Sequence, residues 1–172
     1  MPDHNTIPKL LVRNASQYGK KTALREKEYG IWQSVSWNDY LQHVRRFALG
    51  LASIGFGRGD KLAIIGDNRP EWVYAELAAH ALGGVAVGIY QDSLPKEIAY
   101  VIDHSDARLI VVEDQEQVDK MLEIKDEMPK VEKVVFYDDK GMKNYRDLRP
   151  AGEKPRLLAL GSGHGIGRFC PR

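Results

Sequence analysis

Apolar and polar positions follow one rhythm before about residue 60 and another after it. TIPKLLVRNASQYG (6–19) spaces its apolar residues for a short amphipathic helix, with Thr6 as N-cap, Pro8 in the first turn and Gly19 as a left-handed stop. TALREKEYGIWQSVSW (22–37) switches to period two and predicts two strands turning near Gly30. Ile31, Val35 and Trp37 then share one face, which Gln33 interrupts. Helical spacing returns with Tyr40, Leu41, Val44, Phe47, Ala48, Leu51 and Ala52 in one stripe, Asn38 as cap and Gly55 as stop.

From residue 61 short apolar runs alternate with helical segments. KLAIIGD (61–67) predicts a strand buried on both faces, and VAVGIY (85–90), RLIVVE (108–113) and VEKVVFYD (131–138) predict the strands that follow it. Between them lie PEWVYAELAAHAL (70–82), apolar over most of its surface, then PKEIAYVIDHS (95–105), and the charged amphipathic QEQVDKMLEIKDEM (115–128). Strands separated by helices pair in parallel, because a helical crossover returns the chain to the same end of the sheet. The expected fold class is therefore α/β: a partial, mostly parallel sheet with helices on its faces, preceded by a helix–hairpin–helix lead-in.

Sheets of this kind bind ligands beyond the carboxyl ends of their strands. Here those ends carry Asp67-Asn68-Arg69, Tyr90-Gln91-Asp92-Ser93 and Glu113-Asp114, none of them a glycine-rich loop. Asn68, Arg69, Tyr90 and Gln91 are the candidate substrate-channel residues. The plainer assignments are a helix cap for Asn68, starting a helix with Pro70, and a surface ion pair for Arg69.

The closing segment LGSGHGIGRFCPR (160–172) places glycines at 161, 163, 165 and 167 and invites comparison with a phosphate cradle. The spacing fails. A dinucleotide fingerprint needs glycine at i, i+2 and i+5, yet the i+5 positions hold Ile166 and Arg168, and no Gly-x4-Gly-Lys-[Ser/Thr] can be drawn. No helix of useful length follows to present its N-terminus to an anion. Residues 150–172 are expected to form a flexible, basic, glycine-rich tail, since such segments cannot offset their ordering entropy without packing. Its break with the preceding layout suggests that it is not the natural continuation of the fold, as a reading-frame change would produce.

Bulk properties narrow the function classes. The chain has 172 residues, 43% hydrophobic and 28% charged, with a net charge of +1, so no strong field favours nucleic acid. Cys170 stands alone, which excludes an internal disulfide framework and suits a reducing, cytoplasmic setting. No apolar run approaches a membrane span, and the N-terminus does not read as a signal peptide. Peripheral membrane association and a homodimer stay open.

GDKLAIIGDNRPEWVYAELAAHALGGVAVGIYQDSLPKEIAYVIDHSDARLIVVED (59–114) resembles the AMP-forming acyl-CoA synthetases, members of the adenylate-forming superfamily. The matching stretches are Gly59–Ile64 ("GDKVAI" in the family), Asn68–Trp72 ("NRPEW"), Gly83–Tyr90 ("GGVAVPIY"), Glu97–Ser105 and Leu109–Val112. Upstream, SVSWNDYLQHVRRFALGLASIGF (34–56) is similar to the family's strand-to-helix lead-in. The likeness covers about residues 5–149 and leans toward the long-chain fatty-acid branch. It implies the incomplete N-terminal part of an adenylate-forming domain. It also implies a two-step reaction, in which fatty acid and Mg-ATP give acyl-AMP and pyrophosphate, and coenzyme A then displaces AMP. The family's phosphate loop, similar to Y-T-S-G-T-T-G-x-P-K, is absent, as are its adenine and ribose motifs, hinge and C-terminal lysine. No catalytic residue is therefore carried over. ATP, Mg2+ and coenzyme A are implied for full-length members only, and this chain alone is expected to bind none of them and to be inactive.

The remaining candidates have plain readings. His80 reads as a hydrogen-bonded core histidine, and His104 as a helix C-terminal imidazole without a nucleophile beside it. Glu113-Asp114 and Asp138-Asp139 read as solvated turns rather than metal ligands, and no metal site is expected. Trp32, Trp37 and Trp72 are expected in the core, without the basic interleaving of a nucleic-acid platform. A non-catalytic α/β interaction or dimerisation module is the alternative function. A flavodoxin-like nucleotide binder is disfavoured because no phosphate loop follows the first strand.

Overall fold

A computed structural model describes residues 6–137 and 156–159. They fall in two compact units, one drawn from residues 1–59 and 68–85, the other from 60–67 and 86–172.

The first unit holds α1 (Ile7–Tyr18), the antiparallel hairpin β1 (Thr22–Glu28) and β2 (Ile31–Ser36), α2 (Trp37–Ser53) and α3 (Pro70–Ala81). Gly19 ends α1 at φ +28°, as its sequence position suggests, and its amide donates to the Ala15 carbonyl at 2.9 Å. The hairpin turns through Tyr29 and Gly30, both at positive φ. α2 starts earlier than the period-two pattern indicates. Ser36 is its N-cap: the Ser36 Oγ accepts from the Asp39 amide at 3.2 Å and donates to the Asp39 carboxylate at 2.6 Å. Trp37 is thus a first-turn helical residue instead of the last strand residue, and Asn38 is not the cap. α3 begins at Pro70 with Arg69 in the N-cap position and no side-chain cap, so Asn68 does not serve that role.

The core of this unit joins Leu11, Tyr40, Val44, Tyr74 and Leu77, against which Leu24, Val35 and Trp37 pack. Its aromatic rings run in sequence, with Trp37–Tyr40 centroids at 6.1 Å, Tyr40–Tyr74 at 5.6 Å and His43 stacked on Tyr74 at 4.8 Å. Trp32 departs from expectation. It lies on the hairpin with 63% of its surface exposed, whereas Trp37 and Trp72 are half-buried.

The second unit is built on β3 (Lys61–Ile65), β4 (Val85–Ile89), β5 (Leu109–Val112), β6 (Lys133–Phe136) and β7 (Arg156–Ala159), in the spatial order β4-β3-β5-β6-β7. β3, β5, β6 and β7 run parallel, with Ile64 opposite Val111 and Val111 opposite Val135. α4 (Pro95–Ser105) and α5 (Gln115–Glu123) follow β4 and β5, and a 3-10 turn, Lys125–Glu127, follows α5. β7 lies inside the segment expected as tail; the rest of 150–172 lies outside the described residues. Four residues of strand in a basic, glycine-rich context carry almost no periodic signal, and their pairing with β6 is long-range.

Aliphatic packing dominates here. Ala63, Ile65, Ile98, Ile102, Ile110, Val112, Val118, Met121 and Val134 form one buried cluster. At the amino ends of the strands, Arg108 holds Glu132 with a two-pronged fork at 2.9 and 3.0 Å and reaches Asp60 at 3.0 Å. Those three residues immediately precede β5, β6 and β3, so one guanidinium aligns three strand starts. Asp106 ends α4 in the left-handed region at φ 56°, and its carboxylate accepts from Lys130 at 2.8 Å.

Candidate functional site

The carboxyl ends of the strands in the second unit carry a hydrogen-bonded ledge. β3 exits through Gly66 and Asp67. The Glu113 carboxylate, at the end of β5 and only 5% exposed, accepts the Asp67 amide at 2.6 Å. Asp67 in turn accepts from the Gln91 side-chain amide at 2.7 Å, just past β4. Lys120 of α5 donates to the Gln91 carbonyl at 2.6 Å and pairs with Glu116 at 3.1 Å. A buried carboxylate is costly unless strong donors meet it, and the Asp67 amide is one such donor. Glu113 is therefore not the solvated turn residue that its position suggests. Its neighbour Asp114 caps α5, accepting from the Gln117 amide at 3.2 Å.

Gly66 owes its identity to crowding. A Cβ there would lie 2.6 Å from the Tyr137 hydroxyl and 2.8 Å from the Glu113 Cβ. The three strand ends therefore approach too closely for any side chain at residue 66.

The sequence candidates are divided between the two units. Asn68 is exposed, and Arg69 makes a long ion pair with Glu26 at 3.8 Å, both in the first unit. Tyr90, 79% exposed, and Gln91 belong to the second. Only Gln91 enters the ledge. Gly66, Glu113, Lys120 and Tyr137 were not legible as partners, because their association depends on long-range strand order. His80 is half-buried in the last turn of α3, and His104 stacks on Tyr100 with centroids 5.5 Å apart.

Chemically the ledge is a scaffold. Among the described residues no group of three or more histidine, cysteine or acidic side chains is placed to hold a metal ion. A triphosphate does not fit at the one glycine that ends a strand of the ledge, since Gly66 is filled from the side by Tyr137 and faces the Glu113 carboxylate, an anion. The Gly66 strand end therefore does not fit Mg-ATP, and no chemical step is assigned to the ledge.

Comparison with known proteins decides the kinship. A family model described as AMP-binding enzyme matches residues 11–160. The chain belongs to the AMP-binding enzyme family. It is 34% identical to the long-chain-fatty-acid–CoA ligase ACSBG2 of Xenopus laevis over 134 residues, covering 78% of this chain and 18% of that protein. The long-chain-fatty-acid–CoA ligase ACSBG1 of Rattus norvegicus is 31% identical over 156 residues, covering 91% and 21%. This AMP-binding family member thus spans about a fifth of the length of those relatives. Among solved structures, acetoacetyl-CoA synthetase from Streptomyces lividans superposes with a TM-score of 0.74 at 20% identity, over 88% of this chain and 24% of that one. The anthranilate CoA ligase AuaEII, in complex with anthranoyl-AMP, gives 0.71 at 24% identity, over 79% and 25%. These likenesses establish an α/β fold shared with part of each of those two chains.

Proposed function

We propose that the chain is the N-terminal part of an ATP-dependent, AMP-forming long-chain fatty acid–CoA ligase, working in the cytoplasm. The observation that carries the reading is the similarity to two long-chain-fatty-acid–CoA ligases over most of this chain. Fatty acid and coenzyme A are the substrates of the complete enzyme, and ATP is converted to AMP and pyrophosphate. The part present here supplies sheet and helices; it has no serine, threonine and glycine loop backed by a lysine to hold triphosphate. Tyr90 and Gln91, at the end of β4, are the residues we assign to the acyl channel. Tyr90 offers an exposed ring, and Gln91 is fixed by Asp67 and Lys120.

Fatty-acid-dependent exchange of labelled pyrophosphate into ATP tests the reading. The 172-residue chain is expected to give none. The same chain joined to a downstream segment carrying the phosphate loop is expected to exchange. Exchange by the chain alone overturns the assignment of the phosphate site to another segment, and a joined protein that activates no fatty acid overturns the ligase reading.

A further inference from the structure

The register of the β1–β2 hairpin separates its side chains into two sets. Residues directly opposite one another share a face: Leu24 with Val35, Glu26 with Gln33 and Glu28 with Ile31 on one side, Arg25 with Ser34 and Lys27 with Trp32 on the other. The first side faces inward, since Leu24 and Val35 pack against the core of the helical unit and Glu26 meets Arg69. The second side faces outward, and Arg25, Lys27, Trp32 and Ser34 are all exposed.

Two features of this outward face are unusual together. Its charges have one sign. Between residues 20 and 34 the cations are Lys20, Lys21, Arg25 and Lys27, while the two carboxylates, Glu26 and Glu28, both lie on the inward side. Its apolar content is aromatic and sits at the tip: Trp32 is 63% exposed on this face and Tyr29, in the turn, 87%, while Ile31 belongs to the other side. Exposed single apolar residues are ordinary, but two large exposed rings at one cation-flanked tip are not. The Lys27 ammonium lies 6.0 Å from the Trp32 ring centroid, so cation and indole are presented side by side.

Tryptophan and tyrosine favour the boundary between headgroups and acyl chains, where an apolar ring and a polar edge are both satisfied. Arginine and lysine beside them favour the negative surface of an anionic leaflet. A single-stranded nucleic acid calls instead for a groove of cations tracking a backbone, with aromatic rings spaced for successive bases. Here the rings cluster at a turn. We propose that the outward face of the β1–β2 hairpin docks the chain on an anionic lipid surface. Arg25 and Lys27 meet the headgroup charge, and Tyr29 and Trp32 enter the headgroup layer. The inference is independent of the reaction proposed above.

Co-sedimentation of the 172-residue chain with vesicles tests it, comparing pure phosphatidylcholine with phosphatidylcholine containing phosphatidylserine. Binding is expected only to the anionic vesicles and is expected to weaken as salt is raised. Arg25→Gln with Lys27→Gln should weaken it about thirtyfold, from the typical contribution of a surface cation near such a leaflet. Trp32→Ser should weaken it without changing the salt dependence. Arg45→Gln with Arg46→Gln, an equal charge loss on the exposed side of α2, should leave it unchanged. All five substituted positions are exposed, and circular dichroism checks that each variant keeps its fold. Overturning results are no binding to anionic vesicles, equal loss from the α2 control, or hairpin variants that abolish retention on single-stranded nucleic acid or a self-associated state while vesicle binding persists.

Discussion

The two units solve the burial problem with different materials. The sheet unit is mainly aliphatic, with Phe136 and Tyr137 as its buried rings, and Ala63, Ile65, Ile110, Val112 and Val118 are wholly enclosed. Its polar atoms are pushed to the strand ends, where Arg108 gathers one edge and Glu113 the other. The helical unit buries rings that carry polar tips. Burial pushes the Tyr40 hydroxyl up to about 12, helped by Glu76, and raises Tyr74 further, mainly by desolvation and then by Glu71. The lesson is that an aliphatic core is indifferent to pH, whereas one built of tyrosine and histidine responds to it.

Three measurements sharpen or break this contrast. Ile110 is fully buried in β5, with neighbouring strands on both sides. Ile110→Ala is expected to cost about 4 kcal/mol in urea unfolding, the usual range for emptying a packed site. A loss under 1 kcal/mol would mean that the sheet core is loosely packed. Gly66→Ala comes next, at about 2 kcal/mol, because the Tyr137 hydroxyl and Glu113 must move aside. An unchanged midpoint would show that the strand ends are not held as closely as described. The smallest effect concerns His43, whose ring lies flat on Tyr74 although the residue as a whole is exposed. Desolvation lowers its pKa, Arg46 adds to the drop and Asp39 opposes it. The unfolded state therefore binds more protons just below the ordinary histidine value of about 6.5. The stabilising contribution is full above that value and is lost as pH falls through the folded one. Comparing unfolding midpoints at pH 7.5 and 5.5, the decline should be shallower for His43→Gln than for the parent. Equal slopes would remove His43 from the contrast.

The sequence was informative where a signal is local. α4 occupies the predicted 95–105, and all four strands predicted from apolar runs sit within two residues of them at each end. The family resemblance was likewise carried by contiguous motifs. What escaped depends on partners distant in the chain. Trp37 continues the alternation of Ile31 and Val35, yet Ser36 with Asp39 forms a cap that wins over the pattern. Trp32 looks like core by residue type, but register places it beside Lys27 on the outer face. Glu113 looks like a turn carboxylate until β3 is laid against β5 and brings the Asp67 amide to it. The same dependence hides the ledge as a whole, since its members come from the ends of four strands and from α5. Of the strand-end candidates, Gln91 alone was both legible and part of it.

The strand order has a consequence for synthesis. After β3, the strands β5, β6 and β7 are added side by side in the order in which they leave the ribosome. Each finds its template already complete, so the growing sheet extends at one border without waiting for a later segment to be inserted between two earlier ones.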